Sequence, residues 1–354
     1  MVRIRTLYVE LTTKCNLSCR YCYNSSGTEK NKLDANALTN YCNSLLDYWD
    51  EDNKEVFLSG GEPLLHDQHI DILRNLHNLG FKLYLVTNGC LLNKNVASLI
   101  APYISGIQIS LDGSKSLTHD FFRGHGSFDK TVGNIKSLPS NILRKIRARI
   151  TIGKDNYKDV IDFIDFCYSL GIAGVQFGLI RKQGRGCQKF EQIYDIAAED
   201  VYNLKKLIDK KRSELKKSSF DVGIFDVEGG NCILSEDYPS IDMRIDSAGN
   251  VYPCHSLSAE EFCMGNIYDS LTTDIINGKK IQTILEKIKT RRQTMPECAR
   301  CIWGGKLCHG GCPAEAYMMH GDIFHLDNKC QLRGKFWIDD IIKKRSINSK
   351  LYDC

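Results

Sequence analysis

Short apolar runs alternate with amphipathic stretches from the start of the chain to about residue 215. The runs at 7–11, 55–58, 82–86, 106–111, 147–152 and 174–178 are rich in β-branched and aromatic residues and have the length of strands. The stretches at 34–49, 68–79, 93–101, 129–138, 158–170 and 197–217 carry apolar residues at helical spacing. Val160, Ile164, Cys167 and Leu170 form one such stripe, and Val201, Leu204 and Leu207 another. Asp34 stands where an N-cap belongs, just before Ala35. Six strand–helix units predict an α/β protein with a parallel sheet. After Ser219 the pattern changes: helical periodicity becomes scarce and cysteines return. We divide the chain into 1–219, 220–332 and a helical tail at 333–354.

The chain has 354 residues, 42% of them hydrophobic, enough for a large core. A net charge of +4 compels neither a nucleic-acid nor a membrane partner. Lys205, Lys206, Lys210, Lys211, Arg212, Lys216 and Lys217 read as the solvated face of one helix. No apolar run is long enough to span a bilayer, and the start lacks a signal-peptide pattern, so a cytoplasmic location is expected. Sixteen cysteines in a reducing compartment argue against a disulfide scaffold and leave thiols for metals.

Cys15, Cys19 and Cys22 form a CxxxCxxC array directly after the first strand. Structural zinc sites usually repeat a CxxC pair and close with four ligands. Three thiolates instead suit a 4Fe–4S cluster whose fourth iron stays open. The second strand runs into Ser59-Gly60-Gly61-Glu62-Pro63, a tight turn followed by a carboxylate able to accept from an ammonium. The third closes on Thr87-Asn88-Gly89, and the fourth exits through Ser110-Leu111-Asp112-Gly113. His119-Asp120-Phe121-Phe122-Arg123-Gly124 follows.

Together these motifs resemble the radical S-adenosylmethionine (SAM) superfamily. The resemblance implies a partial, open TIM-like (β/α)6 barrel with its chemistry at the C-terminal ends of the strands. It implies that Cys15, Cys19 and Cys22 hold the SAM-binding cluster and that Tyr21 lies near the adenine. Gly60, Gly61 and Glu62 then meet the methionine amino group, Asn88 belongs to the TNG turn, and Ser110 takes a ribose hydroxyl. Arg123 and Arg149 compete for the SAM carboxylate. The HDxxRG segment is common among relatives that modify peptides.

The later cysteines run Cys232, Cys254 (closing a GxxxxC from Gly249), Cys298, Cys301, Cys308, Cys312 and Cys330. Read from the residues alone, they would also satisfy a pair of zinc sites. The order resembles the SPASM domain, with a Cys301–Cys308 gap one residue longer than the commonest form. The resemblance implies two auxiliary 4Fe–4S clusters, three clusters in all. Cys298, Cys301, Cys308 and Cys330 hold the outer one; Cys232, Cys254 and Cys312 hold the inner one. The inner set is one thiolate short, so an iron stays open or a further residue such as Cys263 completes it. Cys42, Cys90, Cys167, Cys187 and Cys354 fit no motif and read as packing or surface thiols.

This architecture implies a peptide- or protein-modifying enzyme fed by a flavodoxin- or ferredoxin-type reductant. Our first expectation is a maturase that crosslinks a ribosomally made precursor peptide through a thioether or carbon–carbon bond. The alternatives are an anaerobic sulfatase maturase and a peptide epimerase. Sulfatase maturases place an aspartate directly after the GxxxxC cysteine as proposed base; here that position is His255. With the first strand so near the start, precursor recognition is expected at the barrel mouth, the SPASM surface or a separate protein. A three-cluster electron carrier would be a different class, but a carrier needs no SAM pocket.

Overall fold

The computed structural model describes residues 2–49, 54–188, 190–227, 229, 231–236, 240–305 and 307–349, the side chains of 343–349 excepted; Cys354 lies outside the described residues. Among the described residues, ten strands form one sheet. In chain order they are β1 (Arg3–Glu10), β2 (Glu55–Ser59), β3 (Lys82–Thr87), β4 (Ile104–Ser110), β5 (Ile146–Ile152), β6 (Gly174–Leu179), β7 (Asp221–Val222), β8 (Ser240–Ile245), β9 (Asn250–Tyr252) and β10 (Gly265–Asn266). Their spatial order is β10-β9-β8-β1-β2-β3-β4-β5-β6-β7. From β8 through β7 the neighbours run parallel, whereas β9 and β10 add antiparallel.

All six strands read from the sequence are present, each followed by a helical crossover that a parallel pairing requires. The sheet is an open series with β7 and β10 at its edges. After β7 the chain returns to the opposite side and lays β8 against β1. That return sets the second cysteine field beside the first, and one sheet runs across residue 220.

Period-two burial gives the sheet two faces. On β5, Ile146, Ala148, Ile150 and Ile152 are buried under the helices, and Arg147, Arg149 and Thr151 point the other way. On that second face Tyr8, Phe57 and Tyr84 are register partners across β1, β2 and β3, stacked with ring centroids 4.9 Å apart.

The helices depart from expectation in several places. Helix Ala35–Ser44 begins as read, with Asp34 Oδ1 accepting from Ala37 N at 2.8 Å, but it ends well before residue 49. Leu207 is exposed, and Ile208 takes its place in the core beside Val201 and Leu204. Helices also do not become scarce after residue 219: Thr272–Asn277, Lys279–Thr294 and Pro313–His320 precede the helix Cys330–Ser349, which takes in the expected tail. Buried Ile281, Ile284 and Ile288 supply a helical stripe that a lysine-rich background disguised. No helix among the described residues is long and apolar enough to cross a membrane.

Candidate active site and cluster-binding cysteines

The loop after β1 carries Cys15, Cys19 and Cys22, and the turn after β2 packs directly on it. Gly61 N donates to Thr12 O at 2.7 Å and Glu62 N to Lys14 O at 2.8 Å. A Cβ on Gly61 would lie 2.1 Å from Lys14 O; one on Gly60, at φ +128°, would lie 2.6 Å from Thr12 O. The glycine pair is thus required by the contact between the two loops.

Glu62 is fully buried. Its carboxylate accepts from Thr87 Oγ1 at 2.7 Å, Asn88 N at 2.9 Å and Leu64 N at 3.3 Å. Burial raises its pKa to about 7 against these bonds. The side chain therefore clamps the exit of β2 to the exit of β3. Asn88 Nδ2 in turn donates to Asn16 Oδ1 at 2.9 Å and lies 4.0 Å from Cys15 Sγ, tying the TNG turn to the cysteine loop.

The three thiols of that loop interact electrostatically, and burial pushes Cys15 up to about 11. N–H donors face two of the sulfurs: Leu17 N at 3.4 Å from Cys15, and Arg123 Nη1 at 3.9 Å from Cys19. Donors aimed at sulfur favour thiolate, so the residues present fit a three-thiolate cluster.

Arg123 is engaged from every side. Its Nε donates to Asp112 Oδ2 at 2.5 Å and its Nη2 to Tyr21 Oη at 2.5 Å, while Tyr21 Oη donates to the same Asp112 oxygen. Asp112 is fully buried and also accepts from Thr151 N at 2.9 Å. Asp112 N donates to His119 Nδ1 at 3.1 Å; burial and Arg123 keep that imidazole neutral, with its pKa lowered to about 4. Sequence reading missed Asp112 as the hub. The i, i+4 spacing of His119 and Arg123 on the unforeseen helix Ser116–Arg123, which turns both inward, was the available signal.

Ser110 ends β4 directly opposite Arg149 on β5. Gly178 on β6 leaves room for the Arg149 guanidinium, since a Cβ there would lie 2.6 Å from Nη2. Burial and the neighbouring Arg181 lower the Arg149 pKa. Both arginines line a cavity of about 250 Å³, together with Phe177, Phe225, Glu315 and Met318.

A strap at residues 181–185, which the sequence did not flag, joins the two cysteine fields. Arg181 Nη1 donates to Ser256 Oγ and Gln183 Nε2 to Ser258 Oγ at 3.0 Å. Arg185 Nε reaches Cys19 O at 2.8 Å and Arg185 N reaches Cys22 O at 2.9 Å. His255 packs tilted on Tyr8 with centroids 4.9 Å apart, and its Nε2 lies 3.4 Å from Arg181 Nη1. Its Nδ1 is buried without a partner among the described residues. Burial and Arg181 lower its pKa to about 3, so it extends the aromatic row as a neutral ring.

The later thiols fall into two electrostatic groups. Cys232, Cys254 and Cys312 act on one another, and Cys298 interacts with Cys301, Cys308 and Cys330. Arg291, 1% exposed, feels both groups and donates to the carbonyls of Ile323, Gly310, Gly311 and His325. Asp327 accepts Cys312 N at 2.6 Å and is gripped by both Arg333 Nη groups, at 3.0 and 2.7 Å. Ser256 N also donates to Cys254 Sγ at 3.4 Å, so this field offers donors to sulfur as the first does. Cys263 joins neither group: its thiol donates to Gly265 O at 3.4 Å and interacts with Tyr252.

The sequence model of the Radical SAM superfamily matches residues 9–167, and that of SPASM, an iron-sulfur cluster-binding domain, matches residues 232–302. The chain is a radical SAM enzyme with a C-terminal SPASM domain. It is 26% identical to the AdoMet-dependent heme synthase of Methanosarcina barkeri, over 93% of this chain and 97% of that one. It is 27% identical to the mycofactocin maturase MftC of Mycobacterium ulcerans, over 91% and 86%. It is 25% identical to the subtilosin biosynthesis protein AlbA of Bacillus subtilis, over 94% and 72%. Two solved structures share the fold. SuiB of Streptococcus suis bound to S-adenosylmethionine covers 93% of this chain and 77% of its own, at 19% identity and a TM-score of 0.73. The enzyme anSMEcpe with bound AdoMet covers 98% and 96%, at 18% identity and 0.75. A radical SAM domain binds a 4Fe–4S cluster and SAM, and a SPASM domain binds auxiliary iron–sulfur clusters.

Proposed function

We propose that this enzyme is a maturase that crosslinks a ribosomally made precursor peptide through a thioether or carbon–carbon bond. The observation that carries the reading is the cavity lined by Arg149 and residues 177–182 of the radical SAM domain and by Glu315 and Met318 of the later region. In this proposal a substrate side chain held there is served by both domains. When bound, SAM and its cluster supply a 5′-deoxyadenosyl radical that removes a hydrogen atom from substrate.

The chain's own residues divide the remaining tasks. We assign Cys15, Cys19 and Cys22 to the SAM cluster, Cys232, Cys254 and Cys312 to the inner auxiliary cluster, and Cys298, Cys301, Cys308 and Cys330 to the outer one. Arg149, beside Ser110, is the better partner for the SAM carboxylate, because Asp112 and Tyr21 already hold Arg123. Gly60, Gly61 and Glu62 form the wall toward the SAM amino group, with Glu62 also fixing Asn88. Tyr21, on the Asp112–Arg123 pair, borders the adenine. His255, the candidate base, packs on Tyr8 beside Arg181; with its pKa lowered to about 3 it is a weak proton acceptor, so we assign it a supporting part. A flavodoxin- or ferredoxin-type donor in the cytoplasm completes the proposal.

A second reading is kept, because a heme synthase is matched over nearly its whole length and the cavity's Arg181 suits a carboxylate-bearing substrate. The test is anaerobic turnover with SAM, dithionite and synthetic short peptides drawn from the open reading frames that flank the gene, read by mass spectrometry. A crosslink is a product lighter by two hydrogens whose fragmentation stops at the bridge. A cysteine converted to formylglycine would support a sulfatase maturase. A solvent deuteron at one α-carbon with no hydrogens lost would support an epimerase. Reaction of an iron porphyrin carboxylate, with peptide untouched, would overturn the peptide reading.

A further inference from the structure

The inner group offers three thiols, whereas a 4Fe–4S cluster has four irons to ligate. Cys263 is directed elsewhere. Glu315 lies three residues after Cys312, in the first turn of helix Pro313–His320. Cys312 is the N-cap residue of that helix, and the Glu315 charge acts on its thiol. The residue is only 8% exposed. Oε1 accepts Lys329 Nζ at 2.7 Å, whereas Oε2 is buried with no hydrogen-bond partner among the described residues. Leaving a carboxylate oxygen buried and unpaired is costly, so something other than a protein hydrogen bond is expected to meet it. Carboxylate oxygen is an established class of iron ligand.

We propose that Glu315 Oε2 is the fourth ligand of the inner auxiliary cluster. Lys329 holds the other oxygen, partly neutralises the carboxylate and leaves Oε2 for iron. The inference rests on the assignment of Cys232, Cys254 and Cys312 to that cluster. Because Glu315 also borders the cavity, the competing role is a base acting on substrate.

The test uses the full chain, reconstituted anaerobically as wild type, Glu315→Ala and Glu315→Cys. The readouts are iron content and low-temperature electron paramagnetic resonance, with the SAM-cluster signal and circular dichroism as folding controls. The wild type should hold about 12 iron per chain, with a reduced spectrum unmoved by added 2-mercaptoethanol. Glu315→Ala should lose about one iron and show an oxidised 3Fe–4S signal. Glu315→Cys should recover that iron and shift the reduced inner-cluster signal. Wild-type iron and an unchanged reduced spectrum in Glu315→Ala would overturn the proposal, and lost turnover alongside them would make Glu315 a cavity base. A wild-type spectrum that shifts with 2-mercaptoethanol would also overturn it, because it reveals an open iron. A wild type holding only about four iron would instead defeat the cysteine assignments themselves, and the proposal with them.

Discussion

The two cysteine fields reach a similar end by different physics. Cys15, Cys19 and Cys22 lie in one loop, and the loop is shaped by short-range packing: two glycines of the next turn press on its backbone, and Glu62 locks that turn to β3. The second field is gathered from residues 232 to 330, and buried arginines hold it. Arg291 satisfies carbonyls of the loops around the thiols, and Arg333 with Asp327 fixes Cys312 N. A site built from one loop needs room for backbone, so it selects glycine. A site built from distant loops has unpaired carbonyls between its parts, so it selects a long cation with several donors.

The sharpest way to break this comparison is to remove each field's ligands. Changing Cys15, Cys19 and Cys22 to Ala should abolish 5′-deoxyadenosine formation from SAM and dithionite. Changing Cys298 and Cys301 should abolish product yet leave uncoupled SAM cleavage. Chromatography of both products decides, and SAM cleavage at the wild-type rate in the first variant would refute the assignment.

Next in size are the two kinds of support. Arg291→Met should cost at least about 3 kcal/mol in denaturant unfolding, because several buried carbonyls lose a charged donor. It should also lower auxiliary-cluster iron while the SAM-cluster signal persists. Gly61→Ala should do the reverse. Its Cβ meets Lys14 O, overpacking of this kind costs about 1–3 kcal/mol, and the SAM-cluster signal should weaken first. Equal losses of all clusters in both variants would erase the distinction.

Glu62→Gln should weaken SAM binding by about tenfold, measured by calorimetry, because a charge-assisted bond contributes about 1.5–3 kcal/mol. The auxiliary-cluster spectra should not move. An unchanged SAM affinity would remove Glu62 from the binding wall.

The smallest effect is a pH dependence in the first field. His119 titrates near 4 when folded against 6.5 as its ordinary value, so between these pH values the unfolded chain binds more protons. Its contribution is full above about 6.5 and is lost as pH falls toward 4, with a slope of at most about 1.4 kcal/mol per pH unit. Glu62, raised from 4.5 to about 7, acts with the opposite sign over an overlapping range. The useful measurement is therefore the difference in unfolding free energy between wild type and His119→Gln. A difference that does not change from pH 7 to pH 4.5 would show that His119 charges as readily in the fold as in water.

Local chemistry was legible in the chain itself. The cysteine spacings, the glycine pair before Glu62, the strand exits at Asn88 and Ser110, and the six strand–helix units all depend on neighbours a few residues apart. Spacing and period therefore reveal them. The helix at Lys279–Thr294 was missed because Ile281, Ile284 and Ile288 sit among lysines, and the inward helix at Ser116–Arg123 because two of its three buried residues, His119 and Arg123, are polar.

What only the tertiary structure decided depends on how distant segments meet. It laid β8 on β1, gave Arg123 to Asp112, sent the Cys263 thiol to Gly265, and ran the strap at 181–185 from one cysteine field to the other. It also brought Cys232, Cys254 and Cys312 into one electrostatic group and left Glu315 Oε2 buried with no partner among the described residues. A single sequence records which donors and acceptors the chain owns. The pairing of buried charges and thiols far apart along it is set by packing and desolvation, and these act only once the sheet has brought its edges into place.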